Sequence, residues 1–487
     1  MLRLDHRVIT PHGQRLRIRQ GHLEFRGQFV RTHGADSFSN RYMDLLTDVG
    51  TDNTQCKFLS ALVASSGMKA LVGSAYSWAH TAGTADLADR KPRILWANPY
   101  CLLDLSSGAS MTVREQLRQL HKLGWDVRVI GATIFDSPRG ITRLADHWEK
   151  IEQSKSKVVR VKDDPLVHNL IRTRSTQRAE MTAAEEAIWY QTYTKALDQL
   201  KPDIVYYYGG RTLDLLIGDE AHARGIPVAA YLANGNFGGK RWCRDVDRVI
   251  TNAKATADYY RKKDGIDPIP VGVFIDPARV IAPRHERKNV LFINPSLAKG
   301  AALVVRIAML LEQSRPDITF EVVESRGAWR GLLTQISAQY GPTRKALSNV
   351  TLTDNTNDMR PVYQRARLLL APSLWWEAYG RVIAEAHMNG IPTIATNRGG
   401  LPEATGKGGF LIDLPDACYT PPYKEIPSDQ RLLEIINLIT RLHDDEDEFN
   451  RLQAQAKQAG TRHSLEEKGQ RLHTALTDII EHRPHAT

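Results

Sequence analysis

From Lys91 onward, short apolar runs alternate with longer amphipathic stretches, and the series occurs twice. In the first series RILWANPY is a strand, CLLDLSSGAS a loop, MTVREQLRQLHKLG a helix and DVRVIGA the next strand. PDIVYYYG, IPVAAYLA and DRVITNA follow. A second series begins near Lys288 with NVLFINP, KGAALVVRIAMLLEQ and ITFEVVES. It continues through NVTLTD, DMRPVYQRA, RLLLAPS and RVIAEAHMNG to PTIATN. Strands that alternate with helices specify a parallel sheet covered on both faces, so the expected class is α/β with two Rossmann-like, doubly wound domains. Ligands of such sheets bind outside the carboxyl ends of the strands, so two facing units make one interdomain cleft.

The expected boundaries are an N-terminal extension at 1–91, a first Rossmann-like domain at 92–280, a second at 281–465, and a terminal helix at 466–487 that could cross back onto the first domain. Within the extension, Gly-broken alternating runs suggest small antiparallel strands. A helical stretch from Lys57 and a linker at 81–90 follow. Residues 141–200 are charged and read as mostly helical, an insertion or a lid.

Composition narrows the function classes. The 487 residues are 42% hydrophobic and 25% charged, as in ordinary globular chains, and carry a formal charge of +10. That excess favours acidic partners such as a nucleotide diphosphate, a lipid pyrophosphate or an anionic membrane surface, although a generally basic surface is an open alternative. Nucleic acid is not expected, because none of its usual recognition motifs is present. The four cysteines, at 56, 101, 243 and 418, are too scattered for a metal site or a disulfide framework and suit a reducing compartment. The N-terminus is charged where a signal peptide is apolar, and no run of 18 apolar residues occurs. The expectation is a cytoplasmic chain whose only membrane contact is peripheral, at the inner face.

The densest constellation is PSLWWEAYGRVIAEAHMNGIPTIATNRGGLPE, residues 372–403. Glu377 falls in the loop after a buried strand, and a helix is expected from about Tyr379 or Gly380. Glu385 on that helix lies eight positions further on, about 12 Å at 1.5 Å per residue. That spacing suits contact with the two ends of an elongated, hydroxyl-rich ligand. The N–H groups of Ala378, Tyr379 and Gly380 would be free donors at the helix start. Gly399 to Glu403 adds a Gly-rich turn. In NPSLAKGAALVV, residues 294–305, a strand runs into a loop and Lys299-Gly300 opens a helix, which is an anion-binding geometry; a plain surface lysine is the alternative. SSGAS, residues 106–110, is a small-residue loop before a helix, either a ligand contact or a simple turn. Asn234 ends another strand in LANGNF. The YYYGGR run, Tyr206 to Arg211, either lines a binding site or packs within the sheet. No carboxylate cluster has metal-ligand spacing, and DDEDE at 444–448 reads as a solvated helix end.

The Glu377-x7-Glu385 segment with its flanks GIPTIAT and GGLPE resembles the retaining glycosyltransferases of the GT-B fold, family 4. The likeness is strong over 288–415 and looser from 92 to 480. It implies that Glu377 touches hydroxyls of the transferred sugar and Glu385 holds the nucleotide ribose. It further implies that the amides of Ala378, Tyr379 and Gly380 contact sugar or diphosphate, and that Lys299 neutralises the diphosphate. Glu377 and Lys299 are then the catalytic pair. Ser107-Gly108 matches part of the family's Gly-Gly loop, and Asn234 replaces a family His. Asn294 stands where the family has a phosphate-binding Arg, which makes Arg326, Arg330 and Arg381 candidate substitutes. The resemblance implies a nucleotide-diphosphate sugar donor, UDP or GDP, no separate cofactor, no metal, and a glycan, lipid-linked or protein acceptor. Competing readings are a GT-B epimerase or phosphorylase, and a catalytically degenerate sugar-nucleotide-binding scaffold; Asn234 and Asn294 favour the scaffold.

Overall fold

The computed structural model describes residues 90–482, with Asn357 excepted. The strands, helix and linker expected in the N-terminal extension, and the last five residues of the chain, lie outside the described residues.

The first sheet has eight strands: β1 (Arg93–Ala97), β2 (Asp126–Ala132), β3 (Val158–Asp163), β4 (Leu166–Ile171), β5 (Ile204–Tyr207), β6 (Val228–Leu232), β7 (Arg248–Thr251) and β8 (Ile269–Pro270). Their order is β3-β4-β2-β1-β5-β6-β7-β8, parallel throughout except for the antiparallel β3–β4 pair. Successive residues of a strand face opposite sides, and helices cover both. Leu95, Ile130 and Val205 pack with Trp189, Tyr193 and Leu197 on one face. Ile94, Trp96, Ile204 and Tyr206 pack with Val113, Leu117 and Leu120 on the other.

The second sheet comprises β9 (Asn289–Ile293), β10 (Phe320–Val323), β11 (Val350–Thr353), β12 (Ala366–Ala371), β13 (Thr393–Thr396) and β14 (Gly409–Ile412), in the order β11-β10-β9-β12-β13-β14, all parallel. Val290, Phe292, Leu368 and Leu370 meet the helix Ala301–Ser314 on one side. Leu291, Leu369 and Ala395 meet the helix Arg381–Met388 on the other. The pair of doubly wound α/β units is the GT-B architecture.

The helix Leu465–Glu481 packs on the first sheet, where Leu472, Leu476 and Ile479 join the Ile94–Trp96 core. Trp125 Nε1 donates to His473 Nδ1 (2.9 Å) and Lys468 Nζ to Val273 O (2.8 Å).

Residues 141–200 correct the sequence reading. The helices Ala145–Glu152 and Ala183–Leu200 are present, but between them VVRVKD and LVHNLI form the β3–β4 hairpin. Val159 to Lys162 alternates apolar and polar residues before Asp164-Pro165, a strand pattern that its charge obscured, while LVHNLI has no such alternation. Arg114 Nε and Nη2 donate to the Asp163 carboxylate (2.6 and 2.5 Å) and fix the hairpin to the first helix, Gly108–Lys122.

Candidate active site

In both sheets the strand order reverses direction beside the earliest strand, at β1/β5 and at β9/β12. The loops leaving those strands point into one cavity of about 710 Å³ between the units. Such switch points are where ligands of this architecture sit.

The second unit contributes a lysine–carboxylate pair on two fused loops. The loop after β9 carries Lys299, and the loop after β12 carries Ser373 and Glu377. Lys299 Nζ donates to Glu377 Oε1, and Ser373 Oγ donates to the same oxygen (2.9 Å). The loops are fused by backbone bonds from Leu374 N and Trp375 N to Ala298 O (2.9 and 3.0 Å). Gly300 makes this approach possible. Its φ is +80°, and a Cβ there would overlap Pro372 O. Gly400 does the same beneath the Glu377 loop, where a Cβ would lie 2.7 Å from Tyr379 Cα. Gly400 N donates to Glu377 O (2.7 Å).

The helix expected from Tyr379 or Gly380 begins at Arg381, with Gly380 as its N-cap at φ +113°. The N–H groups of Ala378, Tyr379 and Gly380 have no partner among the described residues. Glu385 is buried and already held: Tyr363 Oη donates to Oε2 (2.7 Å), and Arg381 Nε lies 2.7 Å from Oε1. Burial, together with this carboxylate, pushes the Tyr363 hydroxyl well above its ordinary pKa. Arg381 also donates to Phe274 O (2.8 Å), so it pins the two units together while lining the cavity.

Asn294 is a backbone device. Its φ is +64°, a left-handed conformation that Asn tolerates better than most residues. Its Oδ1 accepts from Arg326 N and Gly327 N (both 3.2 Å). The side chain therefore shapes the turn that delivers Arg326 to the cavity. Arg326 Nε donates to Ser106 O (2.9 Å) and Nη2 lies 3.2 Å from Asp136 Oδ2, bridging the cleft. Arg330 is exposed and does not line the cavity.

The first unit contributes a helix start, neutral groups and charged side chains that include Asp136, Arg143 and Arg279. Ser107 caps the helix Gly108–Lys122, accepting from Ser110 N (3.4 Å). Ser107 and Gly108 line the cavity, so that helix end presents its N–H groups and positive dipole end to the cleft. Asn234 lines it too, donating to Tyr208 Oη (3.2 Å) and accepting from Asn236 N (3.0 Å). Tyr206 and Tyr207 belong to the sheet core; Tyr208 alone of the three reaches the cavity, and burial pushes its hydroxyl up to about 12.

The sequence reading missed several residues. Buried Asp104 holds the small-residue loop by accepting from Ser106 N, Ser106 Oγ and Asp136 N (2.7, 2.6 and 2.7 Å). Burial raises its pKa above the usual carboxylate range. Its position two before Ser106 is an Asx-turn signal that was available. Arg143 lines the cavity, and burial, then Arg114, lower its guanidinium to about 10. Tyr363, Ser373 and Asp136 carry no local signal. Among the described residues no three His, Cys, Asp or Glu side chains gather as a metal cage.

A cavity with Lys299 and Arg326 on one wall, free amides on both and a carboxylate pair at its floor can hold a polyhydroxylated anion. The two doubly wound units and the cleft between them have the GT-B architecture. Residues 287–419 match the family model described as glycosyl transferases group 1. A D-inositol 3-phosphate glycosyltransferase of Paenarthrobacter aurescens is 29% identical over 195 residues, which are 34% of this chain and 45% of that protein. The match therefore spans less than half of the relative. Sucrose-phosphate synthase of Thermosynechococcus elongatus superposes with a TM-score of 0.58 at 15% identity, over 80% of this chain and 100% of the other. The Anabaena protein HepE, solved with UDP-glucose, gives 0.56 at 15% identity over 79% and 99%. These two show the shared fold.

Proposed function

We propose that the chain is a retaining, metal-independent glycosyltransferase that moves a sugar from a nucleotide-diphosphate donor, UDP- or GDP-linked, to a hydroxyl of a glycan, lipid-linked or protein acceptor. The observation that carries this reading is the Lys299–Glu377 pair beneath the free amides of Ala378–Gly380 at the β9/β12 switch point. Lys299, Arg326 and the Gly108–Lys122 helix start neutralise the departing diphosphate. Preorganised donors of this kind are each worth about 3–4 kcal/mol in a transition state. Glu377 faces the sugar as positive charge develops at its anomeric carbon. The bond from that carbon to the phosphate oxygen breaks, and the acceptor oxygen bonds on the same face. The acceptor's proton passes to the departing phosphate oxygen, and the nucleoside diphosphate leaves. Glu385, held by Tyr363 and Arg381, keeps an ordered carboxylate for the ribose hydroxyls. No helix among the described residues is long and apolar enough to cross a membrane; we place the chain in the cytoplasm, with the +10 charge available for a peripheral anionic surface.

The test is nucleotide release from UDP- and GDP-sugars, with EDTA present, against sugars, sugar phosphates and lipid-linked saccharides, with the product's anomeric configuration read by NMR. Turnover in EDTA with the donor's configuration kept is the expected result. Inversion, or dependence on added metal, contradicts the mechanism; nucleotide binding without turnover in any combination favours the degenerate scaffold.

A further inference from the structure

The helix Lys254–Asp264 of the first unit begins without a cap of its own. Its N-cap is Ala253, which offers no side-chain acceptor to the first N–H groups. The acceptor comes from the other unit. Glu403, in the GGLPE turn, takes Lys254 N (3.2 Å) and Ala255 N (2.8 Å) on its carboxylate. One turn further along, Tyr259 lies against Trp376, with ring centroids 4.6 Å apart. Between these contacts Thr256 is fully buried, and its Oγ1 donates to Ala378 O (2.7 Å). One helix thus touches three points around Glu377: Glu403, Trp376 and Ala378.

The Thr256 bond has a directional consequence. A peptide group is planar, and in the trans form its N–H points away from its C=O. The peptides Glu377–Ala378 and Ala378–Tyr379 are both trans. Gly400 N holds Glu377 O (2.7 Å) and Thr256 Oγ1 holds Ala378 O, so both carbonyls are pinned. Neither Gly400 nor Thr256 lines the cavity, whereas Ala378 and Tyr379 do. The carbonyls are therefore held from outside the cavity, and the N–H groups of Ala378 and Tyr379 turn towards it. A threonine hydroxyl within a helix commonly bonds back to a carbonyl of its own helix. Here it serves a carbonyl 122 positions away.

We infer that Thr256 is a positioning residue for the donor: by holding Ala378 O it fixes the Ala378–Tyr379 peptide with its N–H towards the donor's diphosphate. Without that bond the peptide is free to rotate and present a carbonyl to the anion in place of a donor. A donor fixed beforehand stabilises charge without having to reorient. Recognition by loops of the second unit thus depends on a hydroxyl of the first, and the amide site is complete only when the two units are docked. This role rests on the transferase reading above, which makes the anion a nucleoside diphosphate.

The experiment measures binding of UDP, GDP, UMP, GMP and inorganic pyrophosphate by calorimetry to the wild type, Thr256→Val and Thr256→Ser. Valine keeps the side chain's shape and removes the hydroxyl, and serine keeps the hydroxyl. Thr256→Ala takes the place of Thr256→Val if the valine variant does not fold. Binding of pyrophosphate, and of the diphosphate that the wild type takes, should weaken about tenfold or more in Thr256→Val and recover in Thr256→Ser. The corresponding monophosphate should bind as before. A residue that served stability alone would lower the melting temperature and leave the ratio of diphosphate to monophosphate affinity unchanged; that unchanged ratio, or no recovery with serine, overturns the proposal. If no nucleotide binds while pyrophosphate binding follows the hydroxyl, the role of Thr256 stands and the transferase reading fails. If the wild type binds neither nucleotide nor pyrophosphate, both are overturned.

Discussion

The two units share a parallel sheet and a switch point, yet they furnish the cleft by different means. The second unit uses side-chain charge on loops locked by glycines: Gly300 and Gly400 admit backbone contacts that any Cβ would break. The first unit uses a helix start, side chains that include Asp136, Arg143 and Arg279, and a loop anchored from behind by Asp104; at its helix start, around Gly108, a Cβ would meet nothing within 4 Å. One topology thus supports a wall of glycine-locked loops and a wall that opens at a helix start.

Matched glycine substitutions test this contrast most severely. Gly300→Val should lower stability by on the order of 3 kcal/mol, through left-handed strain and overpacking, and abolish donor binding. Gly108→Ala should leave stability within about 0.5 kcal/mol. Chemical denaturation reads both. Similar losses in the two variants would erase the distinction between the walls.

Lys299→Ala should weaken nucleotide-sugar binding by about 2–3 kcal/mol, the range for a lost charged hydrogen bond, measured by calorimetry. Asn234→Ala on the opposite wall should change donor affinity by less than about 1 kcal/mol. A larger effect at Asn234 would move donor recognition to the first unit.

The join between the units adds a pH dependence. Lys468 is buried, and desolvation, followed by Arg471 and Arg381, lowers its pKa from 10.5 to about 7. His463, beside its Nζ at 2.9 Å, is lowered to about 3, mainly by burial. Between pH 7 and about 10 the unfolded chain carries a proton at Lys468 that the folded chain lacks. Stability therefore rises with pH in that window, by up to about 1.4 kcal/mol per unit. Lys468→Met should flatten this slope in urea titrations; an unchanged slope would assign it to another group.

The smallest effect concerns the bridge across the cleft. Arg326 is about half exposed, so Arg326→Ala should weaken donor binding by about 1 kcal/mol. Asn294→Ala should weaken it comparably, by loosening the turn that presents Arg326. If Asn294→Ala has no effect while Arg326→Ala does, Asn294 is not the device that positions the arginine.

The second unit was far more legible than the first. Lys299, Glu377, Glu385 and the amides between them lie in short segments whose strand–loop–helix context is written locally. Sequence spacing places Glu377, Glu385 and the amides near one another, whereas Lys299, 78 positions before Glu377, was joined to them by the family resemblance. The alternation of apolar runs with helical stretches likewise announced the parallel strands of both sheets. What escaped depends on distant pairing. Tyr363 reaches Glu385 from another helix, and Arg326 meets Ser106 across 220 positions. The β3–β4 hairpin was hidden because its exposed residues are charged, and charge in a segment between helices resembles a helix face. Asn294 looked like a lost cation because its residue type was compared without its backbone; the positive φ explains the Asn and shows where the neighbouring cation comes from.

The measurement that bears most directly on the account is thermal stabilisation by UDP-, GDP-, ADP-, CMP- and dTDP-sugars of the wild type, Lys299→Ala and Glu385→Gln. A ligand that binds only the native state raises the melting temperature by mass action. One nucleotide should stabilise the wild type, with the shift lost in Lys299→Ala and reduced in Glu385→Gln. Stabilisation by none of them, or an equal shift in all three proteins, would contradict a donor site built on the β9/β12 loops.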